Sequence, residues 1–249
     1  MKIRIHPHYA AYESFIRAIP SGEYEREEIY CNRRNTVERV RFGDKEFVIK
    51  KYKRPALINC LIYTWFRKSK ARRAFEYAEL FLQRGIETAS PVAYIEIKKN
   101  GFFHTGYFIS EYIPYPLIGD IGETGMDEEE KQLLTQDLVS FTLQLHLHKI
   151  VPLDYNPNNI FYRKVDGKYR FALIDINRLR LGKVPGIRVS MNAFSQLNVP
   201  PEDFMKILPL YADERGFDIE ECIFFVLYNR LRWRKKRDFK KYIKRKLHF

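Results

Sequence analysis

Cysteine is scarce in this chain, and its scarcity is informative. Cys31, Cys60 and Cys222 are isolated from one another and form no C-x-x-C pair. That excludes a disulfide framework and a thiolate zinc site, and it points to a reducing, cytosolic setting. Long apolar runs are also missing. The longest, Pro55 to Phe66 (PALINCLIYTWF), is too short to cross a bilayer. The opening MKIRIHPHYAAYESF has no apolar core of signal-peptide length. The expectation is a soluble chain that can still touch a membrane surface. None of the 12 glycines falls in a G-x-G-x-x-G pattern, so no glycine-only phosphate loop is present. Acidic residues are nearly absent from the C-terminal end. Between Arg230 and Phe249 eleven Lys and Arg face one acid, Asp238, so the tail carries +10 of the net charge of +13.

What is present reads as an α+β protein in two parts. With 45% hydrophobic and 30% charged residues, 249 residues suffice for a buried core. A short helix is expected near Ala10 to Ile19, closed by Pro20-Ser21-Gly22. From Glu28 the pattern turns to strands. TVERVRF and EFVIKKY flank a Gly43-Asp44 turn, a hairpin signal. Ala71, Ala74, Phe75, Ala78, Phe81 and Leu82 recur at helical spacing and Gly85 stops them. A second hairpin follows from Pro91 to Ile113, and Pro114 and Pro116 break it. These signals divide the chain into a β-rich part, residues 1–113, and a mainly helical part, residues 114–249. The second part opens with a helix over Asp127 to His148, capped at Met126-Asp127 with acids in its first turn. Short strands then flank Asp166-Gly167.

The chemistry concentrates between Ile150 and Arg178. Asp154 is followed five residues later by Asn159, and an apolar run delivers Asp175. An aspartate to accept a proton, an amide at +5 and an aspartate at a strand end form the layout of a phosphotransferase loop. Phosphoryl transfer asks little covalent work of a protein. It needs an orienting base, hard oxygen ligands for a divalent metal, and a cation on the phosphates. Lys50 ends the apolar run Phe47-Val48-Ile49, so its ammonium needs an anion. That anion is either a nucleotide phosphate or an acid of the following helix, Glu76 or Glu79. The alternative is a surface lysine beginning the KKYKR cluster. His146-Leu147-His148 spaces two imidazoles onto different sides of a helix, a poor arrangement for zinc.

The ordered set RRNTVERV, FVIKKY, ARRAFEYAELFLQRGIETASPVAYIE, LDYNPNNIFY and LIDINRLR resembles the lipopolysaccharide core kinases. That bacterial family phosphorylates 3-deoxy-manno-octulosonic acid or heptose of the inner core. The likeness runs from about Ile29 to Leu181. It implies a bilobal protein-kinase-like fold, ATP and Mg²⁺ as co-substrate and metal, and a lipid A–core glycolipid as acceptor. It implies Asp154 as the catalytic residue, Asn159 and Asp175 as metal ligands, and Lys50 with Glu76 at the nucleotide. Ser110-Glu111-Tyr112-Ile113 resembles the adenine-contacting hinge, giving Glu111 and Ile113 as nucleotide contacts. Asn32 to Thr36 replaces the glycine loop, so Asn35 would meet phosphate through its side chain. The chain departs from related kinases at Pro152-Leu153 and at Asp175-Ile176-Asn177. These departures keep a second reading open, an inactive kinase-like binding module; a kinase of small molecules or proteins is a third.

Two stretches bear on where the chain works. Leu57, Ile58, Leu61, Ile62 and Trp65 form one helical stripe flanked by cations. It suits either packing onto the β-rich part or a membrane interface. The tail intersperses Leu231, Phe239, Tyr242, Ile243 and Leu247 among its charges. Anionic lipid, nucleic acid and a frayed solvated helix are its possible readings. With a membrane glycolipid as acceptor, the lipid reading is the more economical. The implied location is the cytoplasmic face of the inner membrane.

Overall fold

A computed structural model describes residues 1–32, 35–197 and 201–246. The expected phosphate-loop turn loses Arg33 and Arg34 from description, and the tail's Leu247 lies outside it as well. The chain divides into two compact units. One comprises Met1–Pro114 with Ala172–Arg178, and the other comprises Tyr115–Phe171 with Leu179–Phe249.

The first unit is a six-stranded antiparallel sheet with helices on both faces. Its strands are β1 (Lys2–Ile5), β2 (Glu28–Asn32), β3 (Asn35–Phe42), β4 (Lys45–Tyr52), β5 (Pro91–Lys99) and β6 (Phe102–Glu111), in the order β1-β5-β6-β4-β3-β2. Gly43, at φ 65°, closes the β3–β4 hairpin, a conformation that a Cβ would strain. One face buries Val40, Phe47, Ile49, Ala93, Ile95 and Ile109 under the N-terminal Tyr9, Phe15, Ile16 and Ile19. These last belong to a 3₁₀ turn, Pro7–Tyr12, the helix α1 (Glu13–Ala18) and a second 3₁₀ turn ended by left-handed Gly22. The opposite face packs Tyr52 and Tyr94 against Ala71 and Phe75 of α3 (Lys70–Gln83). Ser69 caps α3 by accepting from the Arg72 N–H at 3.1 Å.

Between β4 and α3 lies α2 (Leu57–Trp65). The packing reading of its stripe is corrected here. Cys60 and Thr64 face the sheet, whereas Ile58, Leu61, Ile62 and Trp65 face solvent. Thr64 meets the Phe103 N–H of β6, and the side chain of Leu57, expected in the same stripe, lies outside the described residues.

In the second unit, α4 (Glu128–Leu147) is capped by Asp127, which accepts from the Glu130 N–H at 2.8 Å. Three acids in its first turn complement the helix dipole. Strand β7 (Ile150–Pro152) pairs with β10 (Leu179–Leu181), and β8 (Ile160–Val165) pairs with β9 (Lys168–Leu173). Helices α5 (Ile187–Phe194), α6 (Pro201–Arg215) and α7 (Ile219–Lys246) complete the unit. At its centre the imidazole Nδ1 of His146 lies 2.6 Å from the Tyr211 hydroxyl, which donates to Ser190 and accepts from Arg215. Burial, with the Arg215 charge adding to it, pushes the His146 pKa down to about 3, so this imidazole is neutral. His148, two residues on, points outward.

Candidate active site

The loop after β7 is built around Asp154. Tyr155 is fully buried, and its hydroxyl lies 2.8 Å from Thr142 on α4, which fixes the loop to the helix behind it. Asn156 does two things at once. Its amide NH₂ donates to Asp154 Oδ1 at 2.8 Å, and its Oδ1 accepts from the Asn158 N–H, capping the 3₁₀ turn Pro157–Asn159. Asn159 donates through Nδ2 to the Asp154 carbonyl at 3.0 Å. With its NH₂ so occupied, the amide presents its oxygen as the free end. Gly119 passes so close to this turn that a Cβ there would meet Asn158 Oδ1 at 2.0 Å. Asp154 is half-buried, and its carboxylate accepts from the Asn156 amide.

Asp175 lies in the first unit, on the segment Ala172–Arg178. That segment is fixed by the Leu173 N–H donating to Glu87 O at 3.1 Å and by Thr88 Oγ1 donating to Leu173 O at 2.6 Å. Ile176 and Asn177 are buried. Asp175 adopts φ 55°, the left-handed region that Asp tolerates better than most residues. Its Oδ1 receives Lys50 Nζ at 2.8 Å and also the Asn177 amide. Lys50 within β4 and Asp175 just past β9 therefore meet, although 125 positions separate them in sequence.

The pairing of Lys50 with α3 is corrected. Glu76 receives Lys68 at 2.7 Å and Arg72 at 2.9 Å, and Glu79 receives Arg4 at 2.8 Å. Burial works to raise the Glu76 pKa, but the hydrogen bonds and charges of Lys68 and Arg72 outweigh it and hold the carboxyl below its usual range. The charged residue that α3 buries is Arg73, with Ala74 next to it. A helical repeat read from sequence leaves such a rotation open by one residue, and the local cations captured Glu76.

The strand register places Asn35 opposite Tyr52 and Val37 opposite Lys50, so Asn35 shares the sheet face of Lys50. At the end of β6 the Glu111 N–H donates to Ser90 O and the Tyr112 N–H to Glu46 O, both at 3.0 Å. The Glu111 carboxylate holds Lys45. Burial pushes that carboxyl up, and hydrogen bonds from Lys45 and Tyr9 more than reverse it. Glu111 is thus occupied through both backbone N–H and side chain. Ile113 follows, half-buried, and its N–H has no hydrogen-bond partner among the described residues.

Reading the sequence alone missed three supporting residues. Asn156 looked like ordinary turn chemistry, Asn177 like a deviation, and Gly119 like nothing in particular. A cluster of four amides and acids within 154–159 was the available signal for Asn156.

Comparison with known proteins follows this geometry. Residues 26–199 match the family model described as the lipopolysaccharide kinase (Kdo/WaaP) family. A solved structure titled "WaaP in complex with acyl carrier protein" superposes with a TM-score of 0.62 at 13% identity, over 95% of this chain and 99% of that one. At that identity the likeness is one of fold. No curated protein matches by sequence. Among the described residues no helix is long and apolar enough to cross a membrane.

Proposed function

The chain belongs to the lipopolysaccharide kinase (Kdo/WaaP) family, and from that premise we propose that it transfers the γ-phosphoryl group of ATP to a sugar hydroxyl of the lipopolysaccharide inner core. The acceptor sugar is 3-deoxy-manno-octulosonic acid or heptose. The observation that carries the reading is the Lys50–Asp175 pair at 2.8 Å, which joins the strand lysine to the strand-end aspartate. Asp154 takes the proton as the acceptor oxygen bonds to the γ-phosphorus, while the bond from that phosphorus to the bridging oxygen of ADP breaks. The Asn156 amide orients the Asp154 carboxylate. Lys50 moves its charge onto the phosphates, and Asn35, on the same sheet face, adds an amide donor. The unpaired N–H of Ile113 is a donor for an adenine ring nitrogen, and the Lys45 contact of Glu111 steadies that stretch.

The donor set fits a hard divalent cation. Asp175 offers its carboxylate, with only Oδ1 engaged by Lys50 and Asn177, and Asn159 offers an amide oxygen. Mg²⁺ bound through oxygens of this kind would neutralise phosphate charge as the transfer proceeds.

The membrane enters through α7. Phe224 and Leu227 are exposed before the basic tail, and Trp233, Phe239 and Tyr242 are exposed among its cations. That pattern supports attachment to an anionic membrane at the cytoplasmic face, where the glycolipid acceptor resides. The deciding experiment is transfer from labelled ATP to purified lipid A–core acceptors, each lacking one sugar. Label should disappear with one sugar only. Label on none of them sinks the acceptor assignment.

A second reading rests on α3, whose acids pair elsewhere and leave Lys50 to Asp175 alone. It makes the chain an inactive module. A thermal-shift titration with Mg-ATP separates the two, because a ligand bound by the native state alone raises its stability. The kinase reading expects a rise, and the module reading expects none.

A further inference from the structure

A corner of the first unit, distant in sequence from α7 and from Asp154, carries an unexplained surface. Its core is α2, which cannot roll its apolar side inward. Thr64 Oγ1 donates to Cys60 O at 2.7 Å and accepts from the Phe103 N–H at 2.9 Å, and Tyr63 packs edge-on against Phe103. The helix is therefore pinned with Ile58, Leu61, Ile62 and Trp65 outward. Ile58 is 73% exposed, Trp65 63% and Phe66 84%. Phe102, on the neighbouring hairpin, meets Trp65 edge to face at 5.6 Å and is exposed too.

Beside this apolar face lie two adjoining grooves of about 490 and 450 Å³. They share Arg54, Lys99 and His104, and the second adds Lys51, Lys53 and Lys98. Among the described residues no carboxylate lines either groove. Lys68, nearby in sequence, is committed to Glu76 and is not counted among these cations. A stable water-facing surface rarely gathers so many large apolar side chains. Here they adjoin unneutralised cations, with a tryptophan among them.

We infer that this face of α2, with the end of β4 and the β5–β6 hairpin, docks on an anionic phospholipid bilayer. The lipid phosphates enter the basic grooves, while Ile58, Trp65, Phe66 and Phe102 sink into the headgroup and acyl boundary. Cations that seek phosphate and aromatic and aliphatic side chains that leave water together fit that interface. A nucleic acid would use the cations and leave Ile58 and Phe66 wet. A protein partner would not need the cations free of acids. The inference stands on the first unit alone and requires neither α7 nor kinase activity.

The test uses the full chain carrying Trp233→Phe, so that Trp65 is its sole tryptophan. It is titrated with phosphatidylcholine vesicles with and without phosphatidylglycerol. The expected result is a blue shift of Trp65 emission, with quenching by brominated lipid, on anionic vesicles only. Lys53→Ser, Arg54→Ser and Lys99→Ser together should weaken that response on the order of tenfold or more, as loss of three interfacial cations implies. Ile58→Ser and Phe66→Ser should weaken it further. These side chains are at the surface, and an unchanged circular dichroism spectrum verifies folding. Trp65 emission that stays unshifted while the chain co-sediments with the vesicles overturns the proposal, because α7 then binds alone. So does absence of vesicle binding, or a vesicle-free shift that follows protein concentration and marks a second copy on this face. A shift produced by single-stranded RNA and not by vesicles overturns it as well.

Discussion

Asp154 and Asp175 are the two acids on which the functional reading turns, and their surroundings differ in kind. Asp154 sits in a loop of the second unit where an amide side chain contacts its carboxylate and a buried tyrosine anchors the backbone next to it. Asp175 sits in the first unit with a lysine ammonium on the same oxygen that an amide contacts. An amide orients a carboxylate without answering its charge, whereas an ammonium answers the charge directly. The contrast supports the proposal that Asp154 serves proton transfer and Asp175 answers cationic charge. It also explains why a lysine with no helix acid to pair with is still satisfied.

The contrast can be broken most severely at Asp175. Asp175→Ala removes a hard oxygen ligand and leaves Lys50 without its anion; a fall in kcat on the order of 10⁴-fold is expected, together with weaker Mg-ATP stabilisation in thermal shift. Asp154→Ala should lower kcat on the order of 10³-fold while the Mg-ATP thermal shift stays near wild type, because the proton acceptor alone is lost. Equal loss of nucleotide binding in both variants would erase the distinction. Asn156→Ala, which frees the Asp154 carboxylate from its positioning amide, should cost roughly tenfold in kcat, about 1.4 kcal/mol, and leave the KM for ATP unchanged. A changed ATP KM with unaltered kcat would count against that role.

Away from the acids, His146 gives the second unit a pH-dependent contribution to stability. Burial lowers the His146 pKa from 6.5 to about 3. Between those values the unfolded chain binds a proton that the folded one refuses, so stability falls as pH drops from about 6.5 toward 3. Urea unfolding at pH 7 and pH 5 should show that loss in the wild type and a smaller loss in His146→Gln. An identical pH dependence in both would remove His146 as the cause. The smallest effect is expected at Glu76→Gln. Its partners Lys68 and Arg72 lie at the surface, so stability should change by less than about 1 kcal/mol and phosphotransfer by less than roughly twofold. A hundredfold loss there would restore Glu76 as the partner of Lys50 in the active state.

Much of this arrangement was legible before any coordinates. The Gly43-Asp44 hairpin, the cap at Asp127, the stop at Gly85 and the run into Asp175 are local features, and local sequence chemistry specifies them. The order of Lys50, Asp154, Asn159 and Asp175 carried the resemblance to lipopolysaccharide kinases, and the family match agrees with it. Less legible was the direction of side chains around the helices. The α2 stripe was visible as a stripe, yet its outward direction depends on Thr64 and Tyr63 meeting Phe103, more than thirty residues away. The partner of Lys50 was likewise hidden. Helical spacing offered Glu76 and Glu79, and each found a nearer cation, on its own helix and the residues before it or on β1.

By itself, the sequence determined the elements, their caps and turns, the identity of the chemical groups and the basic character of the tail. Each of these is set within a few residues, where propensity, periodicity and charge spacing act. Tertiary structure alone decided that Asp175, arriving from a strand late in the chain, would answer Lys50 on β4. It also decided that α3 would bury Arg73 while Glu76 turned to Lys68 and Arg72, and that α2 would expose its tryptophan. Ion pairs and helix faces depend on which groups folding brings within a few ångströms. Coulomb energy and desolvation select among those neighbours, whatever their distance along the chain.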